Sequence, residues 1–144
     1  PCRRRHGDRC ALPQAGQDRL KRMYQLPGDG QCFRACLATL LGLEIEQVPR
    51  MKVSRGRWLM RLRRFCRMRG YDLIHTDRIS FHSPAPMIVG GPVHRRGSWH
   101  AIIVKNGRIL HDPFPGEHQG LSAWRDYYLL VPLKPYGTNE MLRA

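Results

Sequence analysis

The chain has 144 residues, 42% of them apolar and 25% charged, which suits one globular domain with a core of its own. Lysine and arginine number 25 against 11 aspartates and glutamates, a net charge of +14, so anionic partners, nucleic acid first, are attracted whatever the specific task. No apolar run approaches the ~20 residues of a membrane span and no apolar h-region follows the N-terminal arginines, so with five cysteines, an odd number, we expect a cytoplasmic protein with reduced thiols.

Residues 1–22 carry Arg3, Arg4, Arg5, Arg9, Arg19, Lys21 and Arg22 and few large apolar side chains. They read as a basic, disordered or loosely attached arm. The arm holds a Cys2-x3-His6-x3-Cys10 pattern, but no second ligand pair follows at a finger spacing, and no metal is assigned. The compact domain is expected over residues 23–134, with a frayed tail over 135–144.

Gly28-Asp29-Gly30 forms turns, and a helical pattern then runs from Cys32 to Leu41, with Gly42 as its C-cap. Phe33, Cys36, Leu37, Leu40 and Leu41 recur every three or four residues and define one buried face. A second helix is expected from Gly56 to Arg69, ended by Gly70. Trp58, Leu59, Leu62, Phe65 and Cys66 fill one arc of it, and Arg57, Arg61, Arg63, Arg64 and Arg67 most of the rest. The basic strip is either a solvating face or a dock for an acidic partner. After Gly70 the pattern turns to strands: Tyr71–His75, Pro86–Gly90, Trp99–Val104, Ile109–His111 and Tyr127–Val131. Asn106-Gly107 between two apolar runs is a strong hairpin signal. Helices first and an antiparallel sheet after them make an α+β fold.

The chemistry centres on Cys32. A cysteine in the first turn of a helix meets unpaired N–H groups and the positive end of the dipole, where a thiol loses its proton more easily. Cys36 and Cys66 fit small core hydrophobes instead. His100 opens an apolar strand and is the best base for Cys32. With the turn centred on Asn106-Gly107, His100 pairs with about residue 113, which brings Asp112 beside the ring as its orienting carboxylate. His111 is excluded because strand neighbours point to opposite faces. The oxyanion donors are the Cys32 backbone N–H and a side-chain amide. Gln25 suits this role because its loop can fold back, and Gln31 is the less suitable neighbour.

Gln25, then Cys32-x-x-Ala35-Cys36-Leu37-Ala38, then His100-Ala101-Ile102-Ile103-Val104 with Asp112-Pro113, resemble the papain-like peptidase superfamily. Within it they are most similar to the bacteriocin (double-glycine) leader-peptidase family and its stand-alone relatives. The resemblance covers about residues 24–131. It implies a papain-like fold, N-terminal helices packed on an antiparallel sheet, with a Cys32–His100–Asp112 triad and no metal or organic cofactor. Two positions depart from the family pattern. Phe33 stands where a glycine usually follows the nucleophile, so double-glycine specificity does not carry over. Gln25 also lies about one residue further from the cysteine than the family habit.

These features predict a thiol-dependent hydrolase, a cysteine peptidase or amidase acting on a peptide or other amide through an acyl-enzyme on Cys32. The rival is a non-catalytic basic module of the same fold that binds nucleic acid or an acidic protein through Arg57, Arg61 and Arg64.

Overall fold

Asn106 and Gly107 both take positive φ, 51° and 72°, the backbone that a two-residue hairpin turn demands and that Asn-Gly adopts most readily. They join β3 (Trp99–Lys105) to β4 (Arg108–His111). The computed structural model describes residues 20–25, 31–51, 57–77, 83–94, 98–116 and 120–133. Most of the basic arm, with Cys2, His6 and Cys10, lies outside these residues, as does the tail.

The remaining elements are α1 (Cys32–Leu41), a short 3-10 turn (Ile45–Gln47), α2 (Arg57–Arg67), β1 (Tyr71–Thr76), β2 (Met87–Pro92) and β5 (Asp126–Pro132). The strands form one sheet in the order β1-β5-β2-β3-β4, and each neighbouring pair is antiparallel. The architecture is therefore α+β, two helices and a five-stranded antiparallel sheet. No described helix is long and apolar enough to cross a membrane.

Both helices end as their glycines dictate. Gly42 sits at φ 67°, and Leu43 N–H reaches back to the Ala38 carbonyl at 2.9 Å. Gly70 sits at φ 84° after α2. That left-handed backbone costs glycine little. α2 stops at Arg67, short of the expected Arg69, because its last turn tightens before Gly70: Arg69 N–H reaches only as far back as the Cys66 carbonyl. Gly56, its expected start, lies outside the described residues.

α1 differs from the one-faced helix that its periodicity predicts. Every residue from Cys32 to Thr39 is buried. The sheet covers one side, and two irregular segments cover the others. Met23 N–H donates to Thr39 Oγ1 at 2.9 Å, and Arg34 Nε donates to the Val48 carbonyl at 2.6 Å. The segment over residues 20–25 thus belongs to the folded domain. Met23 is buried, and Lys21, inside the stretch assigned to the arm, pairs with Glu44.

Two cores flank the sheet. Ala35, Cys36, Leu37, Leu62 and Cys66 from the helices meet Leu73, Ile88, Ala101, Ile103 and Tyr128 on one face. Met87, Val89, Ile102 and Val104 on the other face pack under Leu121 and Trp124. That second cover is a loop. It lies so close to β2 that a Cβ added at Gly91 would sit 1.9 Å from the Ala123 carbonyl oxygen. Ser122 N–H and Arg125 N–H bond the Pro92 and Gly90 carbonyls, each at 2.9 Å.

The hairpin register contains one irregularity. Lys105 faces Arg108 and Val104 faces Ile109, but Ile103 faces His111. The extra residue on β4 is a bulge, which bends the strand where it leaves the sheet. It moves the continued register by one from the plain pairing of His100 with residue 113.

Candidate active site

Cys32 is the first residue of α1, and Gln31 before it has non-helical backbone. The position of Cys32 at the helix start follows from local chemistry: the Gly-rich run disfavours helix, and the apolar periodicity starts at the cysteine. Cys36, one turn later, hangs its thiol on the Ala101 carbonyl at 3.5 Å. This fixes α1 along β3, so that its N-terminus comes over the start of that strand.

His100 is the second residue of β3 and is buried. Its Nε2–H donates to Asp112 Oδ1 at 2.6 Å, and the Asp112 side chain is wholly enclosed. The same carboxylate accepts the backbone N–H of Phe114 at 3.0 Å and of Gly120 at 3.1 Å. Asp112 therefore makes an Asx-type turn through Pro113 and orients the histidine at once. Burial works against its charged form, but the His100 ring and the two N–H groups outweigh it and hold the carboxyl below its ordinary range.

The Cys32 thiol is a neighbour of His100 and favours the ring's protonated form. Burial disfavours the imidazolium. Asp112 and Cys32 more than offset this and push the ring up to about 9 from 6.5. With Nε2 taken by the carboxylate, Nδ1 is the nitrogen left to face the thiol. Burial, then the charges of Cys32 and Asp112, pushes the Cys36 thiol well above its ordinary value. Burial carries Cys66 to about 11. Both are core thiols.

Gln25 returns to the site through its backbone. Its N–H donates to the Pro113 carbonyl at 3.0 Å, next to Asp112. Its side chain is buried, and Oε1 has no hydrogen-bond partner among the described residues. The Gln31 amide oxygen is buried in the same state.

His111 stays out of the constellation, as strand alternation requires, yet it is not idle. Its Nε2–H donates to the Met23 carbonyl at 2.7 Å, and its ring meets Tyr24 edge-on at 5.0 Å. It ties down the segment that carries Gln25.

Phe33 fills a joint between elements. Its ring meets Tyr128 of β5 at 4.6 Å and Trp58 of α2 at 5.4 Å, both edge-on. Sequence reasoning missed Phe114, whose ring stands edge-on to His100 at 6.4 Å, and Gly120, whose positive φ of 57° aims its N–H at Asp112. An aromatic two residues after Asp112 was a usable signal for the first. Nothing local marks the second, since eight residues separate it from its partner.

On α2, Arg63 and Arg67 both fork onto Asp72, with contacts of 2.8 to 3.2 Å. Arg69 lies over the Phe65 ring at 3.8 Å. Arg57, Arg61 and Arg64 make no ion pair or hydrogen bond among the described residues. Among those residues there is also no group of three or more His, Cys, Asp or Glu side chains placed to hold a metal.

Neither a family model, nor a curated protein, nor a solved structure matches the chain.

Proposed function

We propose that this is a small papain-like thiol hydrolase, a cysteine peptidase or amidase. The observation that carries the reading is the buried His100–Asp112 pair set beside a cysteine that opens a helix. A protonated His100 ring beside Cys32 places a positive charge next to the attacking sulfur, and the ring holds its proton to about pH 9. The thiolate attacks the acyl carbon, and the carbonyl electrons move onto oxygen. The Cys32 backbone N–H and the Gln25 amide receive that oxyanion. As the tetrahedral species collapses, His100 gives its Nδ1 proton to the leaving nitrogen. The C–N bond breaks, leaving a thioester on Cys32. Neutral His100 then takes a proton from water, and the hydroxide releases the acid and restores the thiolate. Asp112 orients the ring throughout and stabilises its cation.

The test is peptide mapping after brief iodoacetamide treatment at pH 6 to 7. Cys32 should be alkylated faster than Cys36 and Cys66 by at least about tenfold, since buried, protonated thiols react slowly. The rate should fall in His100→Ala, and Cys32→Ala should abolish hydrolysis of fluorogenic peptide amides. Cys32 reacting no faster than Cys36 would sink the reading.

Arg57, Arg61 and Arg64, which have no partner among the described residues, favour a second reading, a basic module of the same fold that docks an anionic polymer or acidic protein. It takes over if Cys32 is inert.

A further inference from the structure

The α2 helix contains neither an acidic residue nor a lysine. At about 100° per residue, Arg57, Met60, Arg61, Arg64 and Met68 fall within an arc of about 100°. Met68 lies just past the helix end, but its N–H still reaches the Arg64 carbonyl at 3.1 Å, so it continues the same turn. All of these residues are exposed, the two methionines by 72% and 77%. Leu62 and Cys66, on the opposite side, are buried in the core.

Arg57 and Arg61 stand at i and i+4, Arg61 and Arg64 at i and i+3, spacings at which like charges on a helix repel. Arg63 and Arg67 repeat the pattern, but there Asp72 accepts both guanidinium forks. No described residue does this for the outer three arginines, so their repulsion is left for an external anion to relieve. The methionines narrow the choice of anion. A thioether gains nothing from a phosphate backbone and gains from being covered by apolar surface. Bases need an aromatic platform to stack on, and the aromatics of α2 are engaged elsewhere. Trp58 meets the Phe33 ring at 5.4 Å, and the Arg69 guanidinium covers Phe65. Arginine and methionine are enriched, and lysine depleted, where proteins bind proteins.

We infer that this face docks an acidic amphipathic helix of a partner protein. Its apolar side chains cover Met60 and Met68, and its carboxylates pair with Arg57, Arg61 and Arg64. The inference rests on the docking reading of α2 and asks nothing of Cys32. At ~1.5 Å of rise per residue, Arg57 to Met68 spans ~17 Å and Met60 to Met68 ~12 Å. A second helix repeats its side chains at the same pitch. About three turns of it, with apolar residues two turns apart and acidic residues beside them, match the face. The net charge of +14 draws any anion at long range, so selection among anions has to come from the methionines and from the spacing of the arginines.

The test is fluorescence anisotropy with the full chain and labelled peptides of about 18 residues, long enough to hold a helix. One peptide has leucines two turns apart flanked by glutamates. The other keeps the glutamates and has alanine for each leucine. A single-stranded oligonucleotide of the same charge is the third probe. The leucine peptide should bind at least about tenfold more tightly than the alanine one, since only it covers the methionines. Its affinity should fall as salt is raised. Met60→Ser combined with Met68→Ser should weaken it by about tenfold and leave the melting temperature in place. Replacing Arg57, Arg61 and Arg64 with glutamine should weaken it further and flatten the salt dependence. The comparison of peptides on the unaltered protein decides the matter if a variant folds poorly. Equal binding of the two peptides makes the face a plain attractor of anions, which overturns the inference and leaves the docking reading standing. An oligonucleotide that outbinds the leucine peptide and ignores the methionine changes overturns it in favour of nucleic acid, within the same reading. Binding that survives the arginine changes, or no binding of any of these probes, overturns both.

Discussion

His100 holds opposing forces at one atom pair. Burial penalises its cation, while the Asp112 carboxylate and the Cys32 thiol favour it, and the balance lies at about 9. A folded-state value above the unfolded one means that the stabilisation is fully present below pH 6.5 and is lost as pH rises from 6.5 to about 9. We expect urea unfolding to show this as a loss on the order of 1–3 kcal/mol between about pH 6 and pH 9. Asp112→Asn removes the largest upward pull and leaves burial, so the ring's value should fall and the slope should flatten or reverse. A slope unchanged in Asp112→Asn would mean that the pair is not what holds the proton. His111 provides the contrasting case. It lies outside the constellation but anchors Met23 and, through that segment, Gln25. His111→Ala should lower stability by about 1–3 kcal/mol, the cost of leaving a buried carbonyl without its donor. It should also reduce turnover through a displaced Gln25 while Cys32 still alkylates quickly. A variant that loses Cys32 alkylation as fully as His100→Ala would mean that His111 itself serves the thiol.

At the scale of elements, the regular pieces were legible in the sequence because each carries its own punctuation. Gly42 and Gly70 stop the helices, Asn106-Gly107 turns the hairpin, and the apolar runs of β1 to β5 switch period after Gly70. The candidate nucleophile, base and carboxylate were legible too, being at element ends where such signals concentrate. The irregular segments were not. The packing of residues 20–25 on α1, the bulge in β4 and the loop over the second face depend on residues far apart in sequence, which no local pattern records. The close approach at Gly91 is the clearest of these. It reads as half of a Gly-Gly pair ending a strand, yet it is the point where the 120–125 segment lies against β2. Gly91→Ala must push backbone away from backbone, so we expect a loss of about 2–4 kcal/mol, at the high end of overpacking costs. The change should be visible as exposure of Trp124 by fluorescence. Tolerance of alanine without a change in melting temperature would show that the loop yields freely.

For the molecule as a whole, the charge is divided by partner. Arg63 and Arg67 are engaged within the fold by Asp72, and together they hold its carboxyl well below the ordinary range. Arg57, Arg61 and Arg64 recur at helical spacing along the outer face of α2, flanked by Met60 and Met68, 72% and 77% exposed. Among the arginines of α2, these three can neutralise an external anion without dismantling an ion pair among the described residues. Replacing all three with glutamine should leave the melting temperature and Cys32 alkylation in place. Affinity for a single-stranded oligonucleotide should drop, and the slope of log affinity against log salt should shrink by about 2, at roughly 0.7 for each phosphate that an arginine no longer neutralises. Replacing Arg63 and Arg67 instead should lower stability, because Asp72 is left without its fork, and should affect the salt slope less. The same slope in the triple variant as in the unaltered chain would show that α2 presents only a solvated face and that any anion binding uses other basic residues. A shared loss of slope and of Cys32 reactivity would mean that the two faces of the domain are coupled and not separate devices.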